Sequence, residues 1–595
     1  MRLIGAAKFL IIIQLTRLVT NGVKMYFRNI GNSVFVLRYM MIRKILTAVT
    51  LLMLFFAVNA SAQRRAYVIT RDDTLRGALT PLRTCYDVTY YDLAVKVDVK
   101  KHSISGSVVM KYRVTEDFDS LQIDLTARLR IEKILFKGTA LTYRRVVNSV
   151  FVTFPETQHA GSIEEITVIY SGTPVSAKSP PWDGGFVWKK DAKGRDWIGV
   201  TCEGVGPSIW WPCKDHLSDE PDSVQMKFTV PTGLMCVANG RLRDTLNTGD
   251  GNTTWTWFVS YPINLYNVTL NLAHYSFFSD TFSTANQPLQ LHYYVLDYNV
   301  PQAMLQFQQV KTMMGCFEKY FGPYPFPRDG YKLVETPYYG MEHQSAIAYG
   351  NDYINNKSGF DYIIIHESAH EWWGNNVSAS DYADLWIHES FATYAEALYI
   401  ECTKSYTDAV EYLKGLRWQI RDSVAVAGPR GVNWDGTRFD NDMYMKGAWI
   451  IHTFRSVLND DSLFFRLILG IQKEFALKTI STTDVIQYIN RATGHDYSAF
   501  FNQYLYHSSP PVFEYKLKQK GKNTQLTYHW KSDDPAFAMP VEITNSYSYL
   551  FGKQIKTFER VNVTTEWKTI TIPNFESGDF DVNTDKFYVK KSLVQ

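Results

Sequence analysis

Two histidines, His366 and His370, stand four residues apart in a stretch whose pattern predicts a helix. Side chains at this spacing lie on one helical face, so both imidazoles can bind one metal ion. Glu367 stands between them, next to such a metal, where a carboxylate can act as a general base. Glu389, in a second predicted helix, supplies a third ligand. These residues predict one Zn²⁺ per chain and zinc-assisted addition of water to a carbonyl.

The surroundings of this motif favour a metal site over two histidines on a helix surface. Residues 362–365 are apolar, and Trp372 and Trp373 follow the motif, so we expect a buried helix, where charged groups are paired or metal-bound. A metzincin needs Gly three and His six residues after the second histidine, but Trp373 and Asn376 occupy those positions. Thermolysin-like enzymes use the same ligand types, yet residues 388–394 differ from the surroundings of their third ligand.

The composition is that of a globular protein with several domains. The chain has 595 residues, 46% of them hydrophobic and 20% charged, which is enough for three or four domains with their own cores. The net charge of +3 gives no electrostatic case for nucleic acid as a partner. Aromatic residues make up 15% of the chain, which suits extensive β-structure or a substrate cleft.

The N-terminus has the pattern of a targeting segment. Basic residues at 43–44 precede an apolar run over 45–58, and the small residues 60–62 form an A-x-A cleavage site. We therefore expect a signal peptide over 40–62, with residues 1–39 as a gene-start artefact. The mature protein is expected to be exported, either periplasmic or secreted, without a stable membrane span.

The hydrophobic period changes along the chain. Residues 91–99 alternate with period 2, as in a strand. From about residue 301 the period is helical, and the predicted helices include 360–373, 384–403, 407–424 and 443–458. After the linker at 507–511 strands return. The expected fold class is multidomain α+β: an N-terminal β-sheet domain, a thermolysin-like, mainly α catalytic domain and a small C-terminal β-sandwich. The expected order is a targeting segment (1–62), an N-terminal extension (63–84), the β-domain (85–275), the catalytic domain (276–508) and the C-terminal β-domain (509–595).

The cysteines do not indicate a zinc finger or a thiol redox site, because no C-x-x-C occurs. An exported protein permits disulfides, but for most of these residues we expect buried free thiols. The six are Cys85, Cys202, Cys213, Cys236, Cys316 and Cys402.

Four blocks over roughly residues 85–510 resemble the zinc aminopeptidases of the aminopeptidase N and leukotriene-hydrolase type, which are gluzincin metallopeptidases. The blocks are His366-Glu367-x-x-His370 with Glu389; Tyr339-Gly340-Met341-Glu342-His343, similar to the family's G-x-M-E-N; Tyr444-Met445-Lys446-Gly447-Ala448, similar to Y-x-K-G-A; and Glu203 followed by Pro212-Cys213. They stand in the order that the family has.

The resemblance implies a zinc-dependent aminopeptidase that removes N-terminal residues from peptides with a free N-terminus. Glu342 and Glu203 match the positions that bind the substrate's α-ammonium group through charge-assisted hydrogen bonds. Gly340 and Met341 belong to the substrate-binding block, and Tyr444 matches the donor that stabilises the oxyanion. Two alternatives stay open: another zinc hydrolase on this scaffold, such as an epoxide hydrolase, and a non-catalytic peptide-binding protein. No oligomeric state is predicted.

Five positions depart from the family pattern. Tyr339 replaces the first Gly of G-x-M-E-N, and His343 replaces its Asn. Thr201 stands where the family has Gln, and His388 and Ser390 replace the Asn and Gly that flank the third ligand. These changes leave the metal ligands and the general base intact. Because they lie in the blocks that contact the substrate, we expect them to alter substrate preference and contacts to the peptide backbone.

Overall fold

A computed structural model describes residues 69–284, 288–433, 440–550 and 553–594. The predicted targeting segment lies outside these residues. From Thr70 onward the chain forms one compact unit. Within the described residues, no helix is both long and apolar enough to cross a membrane.

Strands make up most of the chain before residue 275. They are β1 (Tyr86–Asp98), β2 (Ser103–Val114), β3 (Phe118–Asp124), β4 (Leu129–Phe136), β5 (Thr139–Ala140), β6 (Thr142–Val146), β7 (Ser149–Gln158), β8 (Ile163–Gly172), β9 (Gly185–Lys190), β10 (Asp196–Thr201), β11 (Ser223–Pro231), β12 (Met235–Ala238), β13 (Arg241–Asn247), β14 (Asn252–Val259) and β15 (Leu270–Ala273). The largest sheet has the order β13-β14-β11-β1-β2-β8-β4-β5. In β1, Leu93, Val95 and Val97 are buried because alternate side chains face the core. The predicted N-terminal β-domain is confirmed.

Two short helices, α1 (Arg71–Gly77) and α2 (Pro81–Thr84), precede the first strand. Arg83 of α2 forms an ion pair with Asp124 of β3 at 2.5 Å, and both side chains are fully buried. A buried pair of this kind is costly to break, since one charge would be left uncompensated. The second half of the predicted extension is therefore an integral part of the β-domain.

The middle of the chain combines helices with a mixed sheet. Its helices are α3 (Val300–Gln306), α4 (Gln309–Phe321), α5 (Tyr362–Ala369), α6 (Trp386–Thr403), α7 (Tyr406–Leu416), α8 (Gly447–Leu458), α9 (Asp461–Glu474), α10 (Thr482–Thr493) and α11 (Ser498–Tyr506). Its strands are β16 (Tyr275–Phe282), β17 (Leu289–Leu296), β18 (Tyr331–Glu335), β19 (Gly340–Met341), β20 (Ile347–Tyr349), β21 (Val377–Ala379) and β22 (Lys478–Ile480). Five of them form one sheet in the order β16-β17-β18-β20-β19.

Helices α5 and α6 form the centre of this part. The Asp361 side chain begins α5 by accepting the Ile363 N–H. Every residue of α6 from Trp386 to Ile400 is buried. Because α6 is surrounded by protein on all sides, its side chains are held in fixed positions, as a metal site requires.

The structure shortens two predicted helices. The helix over 360–373 ends at Ala369, because the chain turns towards Gly374, which has φ +130°. His370 keeps right-handed helical angles (φ −64°, ψ −20°), so the four-residue spacing still places both histidines on one face. Helix α7 ends at Leu416, short of the predicted 424, and continues as a 3-10 turn over Arg417–Gln419.

The helix predicted to begin at Met443 begins differently. Residues Asp442–Lys446 form a π-helical turn, and regular α-helix starts at Gly447. Single π turns occur frequently at functional sites, and hydrophobic spacing does not reveal them.

One disulfide, Cys316–Cys402, joins α4 to α6. The other four cysteines are buried free thiols, as predicted for most of them. The bond connects the helix that carries Glu389 to a neighbouring helix.

The C-terminal region returns to strands. They are β23 (Val512–Lys520), β24 (Asn523–Lys531), β25 (Met539–Leu550), β26 (Lys553–Val563), β27 (Lys568–Ile572) and β28 (Lys590–Leu593). Four form a sheet in the order β27-β24-β23-β28, and β25 pairs with β26. The chain is thus a multidomain α+β protein, as the sequence predicts.

Candidate active site

The three predicted metal ligands lie together. Nε2 of His366 and Nε2 of His370 are 3.4 and 3.6 Å from Oε2 of Glu389. All three side chains are almost completely buried. Helix α5 and the residue after it supply the imidazoles, and α6 supplies the carboxylate.

Hydrogen bonds orient both imidazoles towards the centre of this cluster. Nδ1 of His370 donates to the Trp373 carbonyl at 2.9 Å, which leaves Nε2 as an acceptor. Nδ1 of His366 lies 2.7 Å from Oε1 of Glu396. The Tyr412 hydroxyl also donates to Glu396. Partners of this kind fix the ring tautomer and orientation of metal-binding histidines.

The cluster fits a zinc ion. Two imidazole nitrogens and one carboxylate oxygen form the donor set of an open catalytic zinc site. Oε2 of Glu389 is buried and has no hydrogen-bond partner among the described residues, although such an atom normally requires one. A cation held between the three side chains would satisfy that oxygen.

Glu367 faces the same cavity from α5. A Cβ atom on Gly340 would come within 2.5 Å of Oε1 of Glu367 and 2.9 Å of Cδ1 of Ile363, so any larger residue there would displace the Glu367 carboxyl group. Burial raises the pKa of Glu367 well above its ordinary value, with nearby carboxylates adding to the effect. Gly340 thus allows β19 to pass directly beside the predicted general base.

Two carboxyl groups converge next to the metal cluster. Glu342 is buried, and Glu203 reaches it from the β-domain so that their oxygens and a His388 nitrogen lie within 4.8 Å of one another. The Tyr266 hydroxyl donates to Oε1 of Glu342 at 2.9 Å. Burial raises the pKa of both carboxyls, and the charge of Glu342 raises that of Glu203 further. Such a pair is suited to binding a cation.

Tyr444 lies on the π-helical turn over Asp442–Lys446. Its ring stacks against His366 with centroids 6.2 Å apart. Burial raises the pKa of its hydroxyl well above the ordinary value, so the group keeps its proton and can donate a hydrogen bond.

All nine predicted site residues line one cavity, together with five further residues. The predicted residues are Glu203, Gly340, Met341, Glu342, His366, Glu367, His370, Glu389 and Tyr444. The added ones are Pro181, Trp182, Tyr339, Tyr362 and Ile363. Trp182 is 61% exposed and Tyr339 is 41% exposed, so aromatic rings stand at the mouth of the cavity.

Of the contacts not predicted from the sequence, that of Glu396 could have been inferred from its spacing. Glu396 stands seven residues after Glu389, two helical turns along the same face of α6, which is the spacing expected of a residue that supports a ligand. Tyr266 and Trp182 come from distant segments, and no local pattern places them here.

Residues 305–504 match the family model described as the peptidase family M1 domain. This part of the chain is similar to an M1 peptidase domain. This agrees with the gluzincin family that the four motif blocks predict.

Several relatives match parts of this chain. Endoplasmic reticulum aminopeptidase 1 of Mus musculus is 23% identical over 296 residues, which cover 46% of this chain and 31% of that protein. Aminopeptidase M1-B of Oryza sativa is 22% identical over 473 residues, which cover 73% of this chain and 51% of that protein. The chain thus spans a third to a half of the length of these relatives. A crystal structure of an M1 zinc metallopeptidase from Deinococcus radiodurans superposes with a TM-score of 0.62 at 22% identity, covering 71% of this chain and 95% of that one.

The departures from the M1 motifs lie in or near the cavity. Tyr339 stacks on Tyr362, with centroids 6.3 Å apart. His343 is fully buried, and neither of its ring nitrogens has a partner in the part of the chain that the structure describes. Burial lowers its pKa to about 3, so the ring is neutral. Thr201 is buried at the end of β10, two residues before Glu203.

The two residues that flank Glu389 each contact another part of the site. Nε2 of His388 accepts the Ala379 N–H at 2.7 Å, and Nδ1 lies 3.5 Å from the Tyr266 hydroxyl, which in turn donates to Glu342. The Ser390 hydroxyl donates to the Met443 carbonyl in the π-helical turn. Both departures thus connect α6 to the residues around it.

Proposed function

We propose that this protein is a zinc-dependent aminopeptidase. The observation that carries the proposal is a single cavity lined by the three zinc ligands and by the buried pair Glu342 and Glu203. A metal cluster alone is compatible with many hydrolases. The adjacent carboxyl pair adds a binding site for a cationic group, and the α-ammonium of a peptide is such a group.

His366, His370 and Glu389 would hold the zinc ion, which supplies Lewis acidity at the scissile carbonyl. The α-ammonium binds between Glu342 and Glu203 and so fixes the first peptide bond near the metal ligands. Only the first residue of a peptide presents such a group, which limits cleavage to the N-terminal bond.

Glu367 transfers the protons of the reaction. Its carboxylate takes a proton from the attacking water and gives it to the leaving amine. The Tyr444 hydroxyl donates a hydrogen bond to the oxygen on which negative charge develops. Glu367 and Tyr444 belong to different motif blocks, and both line the cavity. Both groups are therefore in position before the substrate binds.

The comparisons support this proposal. Curated relatives from Saccharolobus solfataricus include a probable aminopeptidase 1 and a leucyl aminopeptidase. A variant of the Deinococcus radiodurans enzyme is described as bound to a Tyr-Ser-Ala substrate, and its fold matches this chain with a TM-score of 0.61. The complete set of ligands, base and tyrosine disfavours a peptide-binding protein without activity. The carboxyl pair disfavours an epoxide hydrolase, whose reaction does not require an ammonium site.

We also propose that the protein is exported, to the periplasm or beyond the cell. Two features support export: the signal-peptide pattern over 40–62 and the disulfide Cys316–Cys402, since disulfides form in oxidising compartments. N-terminal sequencing of the native protein should give Gln63 as the first residue. A native protein that retains residues 40–62 would contradict this.

A panel of fluorogenic amino-acid amides, assayed with and without a chelator, tests the activity. We expect turnover that the chelator abolishes and zinc restores, and much slower turnover of the matched N-acetylated amides. Turnover of acetylated and free substrates at equal rates would contradict an aminopeptidase.

A further inference from the structure

Ser390 follows the ligand Glu389 on α6 and is fully buried. Its hydroxyl donates to the Met443 carbonyl at 2.7 Å. Met443 precedes Tyr444 in the π-helical turn over Asp442–Lys446. A buried hydrogen bond therefore joins the helix of a metal ligand to the backbone that carries the tyrosine.

The contact between Ser390 and this turn is close as well as polar. A Cβ atom on Gly447, the first residue after the turn, would lie 1.8 Å from Oγ and 2.5 Å from Cβ of Ser390. Glycine at 447 thus lets the turn approach α6 closely enough for the hydrogen bond. Neither the side chain at 390 nor the one at 447 can grow without moving the turn.

A π-helical turn depends on such support. Its i→i+5 hydrogen bonds are less favourable than those of an α-helix, and isolated π turns persist where the surrounding structure favours them. If residues 442–446 relaxed to α-helix, the side chain of Tyr444 would rotate about the helix axis and its hydroxyl would leave the cavity.

We propose that Ser390 is a positioning residue that holds the Tyr444 hydroxyl in the active-site cavity by anchoring the π-helical turn. The inference rests on the proposed function, because it assigns Ser390 to the peptidase reaction. It also predicts where the Tyr444 hydroxyl lies, and this position can be measured without any assay of turnover.

A double-mutant cycle tests the link. Ser390→Ala is expected to lower kcat about tenfold or more with little change in KM, since misplacing a group by about 1 Å costs up to a hundredfold. In a Tyr444→Phe background the same substitution should have no further effect, because there is no hydroxyl left to position. Equal losses in both backgrounds, or no loss in either, would overturn the inference.

Two further variants separate the hydrogen bond from packing. In Ser390→Gly/Gly447→Ala, the new methyl group fills the space left by the serine and lies 3.4 Å from Cα of residue 390, so contact is kept without the hydroxyl. The kcat of this double variant should fall by as much as that of Ser390→Ala. Thr393→Val removes another buried hydroxyl of α6, one without a hydrogen-bond partner among the described residues, and should leave kcat unchanged. Wild-type kcat in Ser390→Gly/Gly447→Ala would overturn the role assigned to the Ser390 hydroxyl.

A crystal structure of Ser390→Ala with zinc bound is the closing experiment. We expect the turn over 442–446 to shift and the Tyr444 hydroxyl to move by about 1 Å or more, with full zinc content. An unmoved tyrosine would overturn the inference, even if the enzyme is active. An inactive wild-type protein would overturn the proposed function, and this structure would still decide whether Ser390 places Tyr444.

Discussion

Burial decides what Glu342 can bind. In water a carboxylate is already solvated, but Glu342 is buried, with Glu203 as a neighbour and the Tyr266 hydroxyl as a donor. Burial raises the pKa of both carboxyl groups, so their charged forms are disfavoured until a cation binds beside them. An α-ammonium restores the charge balance and supplies three hydrogen-bond donors.

Glu342→Gln should therefore weaken recognition of the free N-terminus. The neutral amide cannot form charge-assisted hydrogen bonds, so we expect kcat/KM for free amino-acid amides to fall about 10- to 100-fold. The measurement is the ratio of kcat/KM for free and N-acetylated substrates. An unchanged ratio would contradict the role assigned to Glu342.

His366 makes zinc binding dependent on pH. Burial lowers the pKa of this imidazole, but the neighbouring carboxylates of Glu389 and Glu396 outweigh burial and raise it well above its ordinary value. Only the neutral ring binds metal, so zinc must displace a proton, and below that pKa the affinity should fall about tenfold per pH unit.

Calorimetry of zinc binding at neutral pH, in buffers of different ionisation enthalpy, measures this proton. We expect release of about one proton or more per zinc, and less release in Glu396→Gln, which removes one of the groups that raise the pKa. Binding without proton release in the wild-type protein would contradict the assignment.

Among the elements, α6 has the largest share in the site. It carries Glu389 and Glu396 on one face, and Ser390 contacts the turn that carries Tyr444. Sequence patterns predicted α6 almost to its ends, because a long buried helix follows from its composition. They could not predict the π-helical turn or the early end of α5, since both depend on contacts between distant segments rather than on local spacing.

The disulfide Cys316–Cys402 also acts between elements, because it joins α4 to α6. It closes a loop of 86 residues between α4 and α6, so its loss enlarges the unfolded ensemble. Cys316→Ser/Cys402→Ser should lower the free energy of unfolding by about 2–4 kcal/mol, while zinc content and kcat at low temperature stay near wild type. Denaturant unfolding measures the change. Wild-type stability in the variant, with the disulfide shown to be formed in the wild-type protein and both proteins shown to be folded, would contradict the disulfide's role.

Across the whole molecule, the site is assembled from two sequence regions. The β-domain contributes Glu203, Tyr266 and Trp182, and the helical region contributes the metal ligands, Glu367 and Tyr444. The ligands could be predicted because one helix face and one spacing define them. The aromatic mouth of the cavity could not, because Trp182 reaches it from a loop with no periodic pattern.

The proposed reaction depends on proton transfer by Glu367 beside the zinc ligands, and Glu367→Gln removes that step alone. The substitution keeps the size of the side chain and removes its basicity, so we expect one zinc per chain, unchanged folding and a loss of kcat of about a thousandfold or more on free amino-acid amides. Zinc content by elemental analysis, measured on the sample used for kinetics, excludes loss of metal as the cause. Turnover near the wild-type rate in a zinc-loaded Glu367→Gln protein would contradict the role of Glu367.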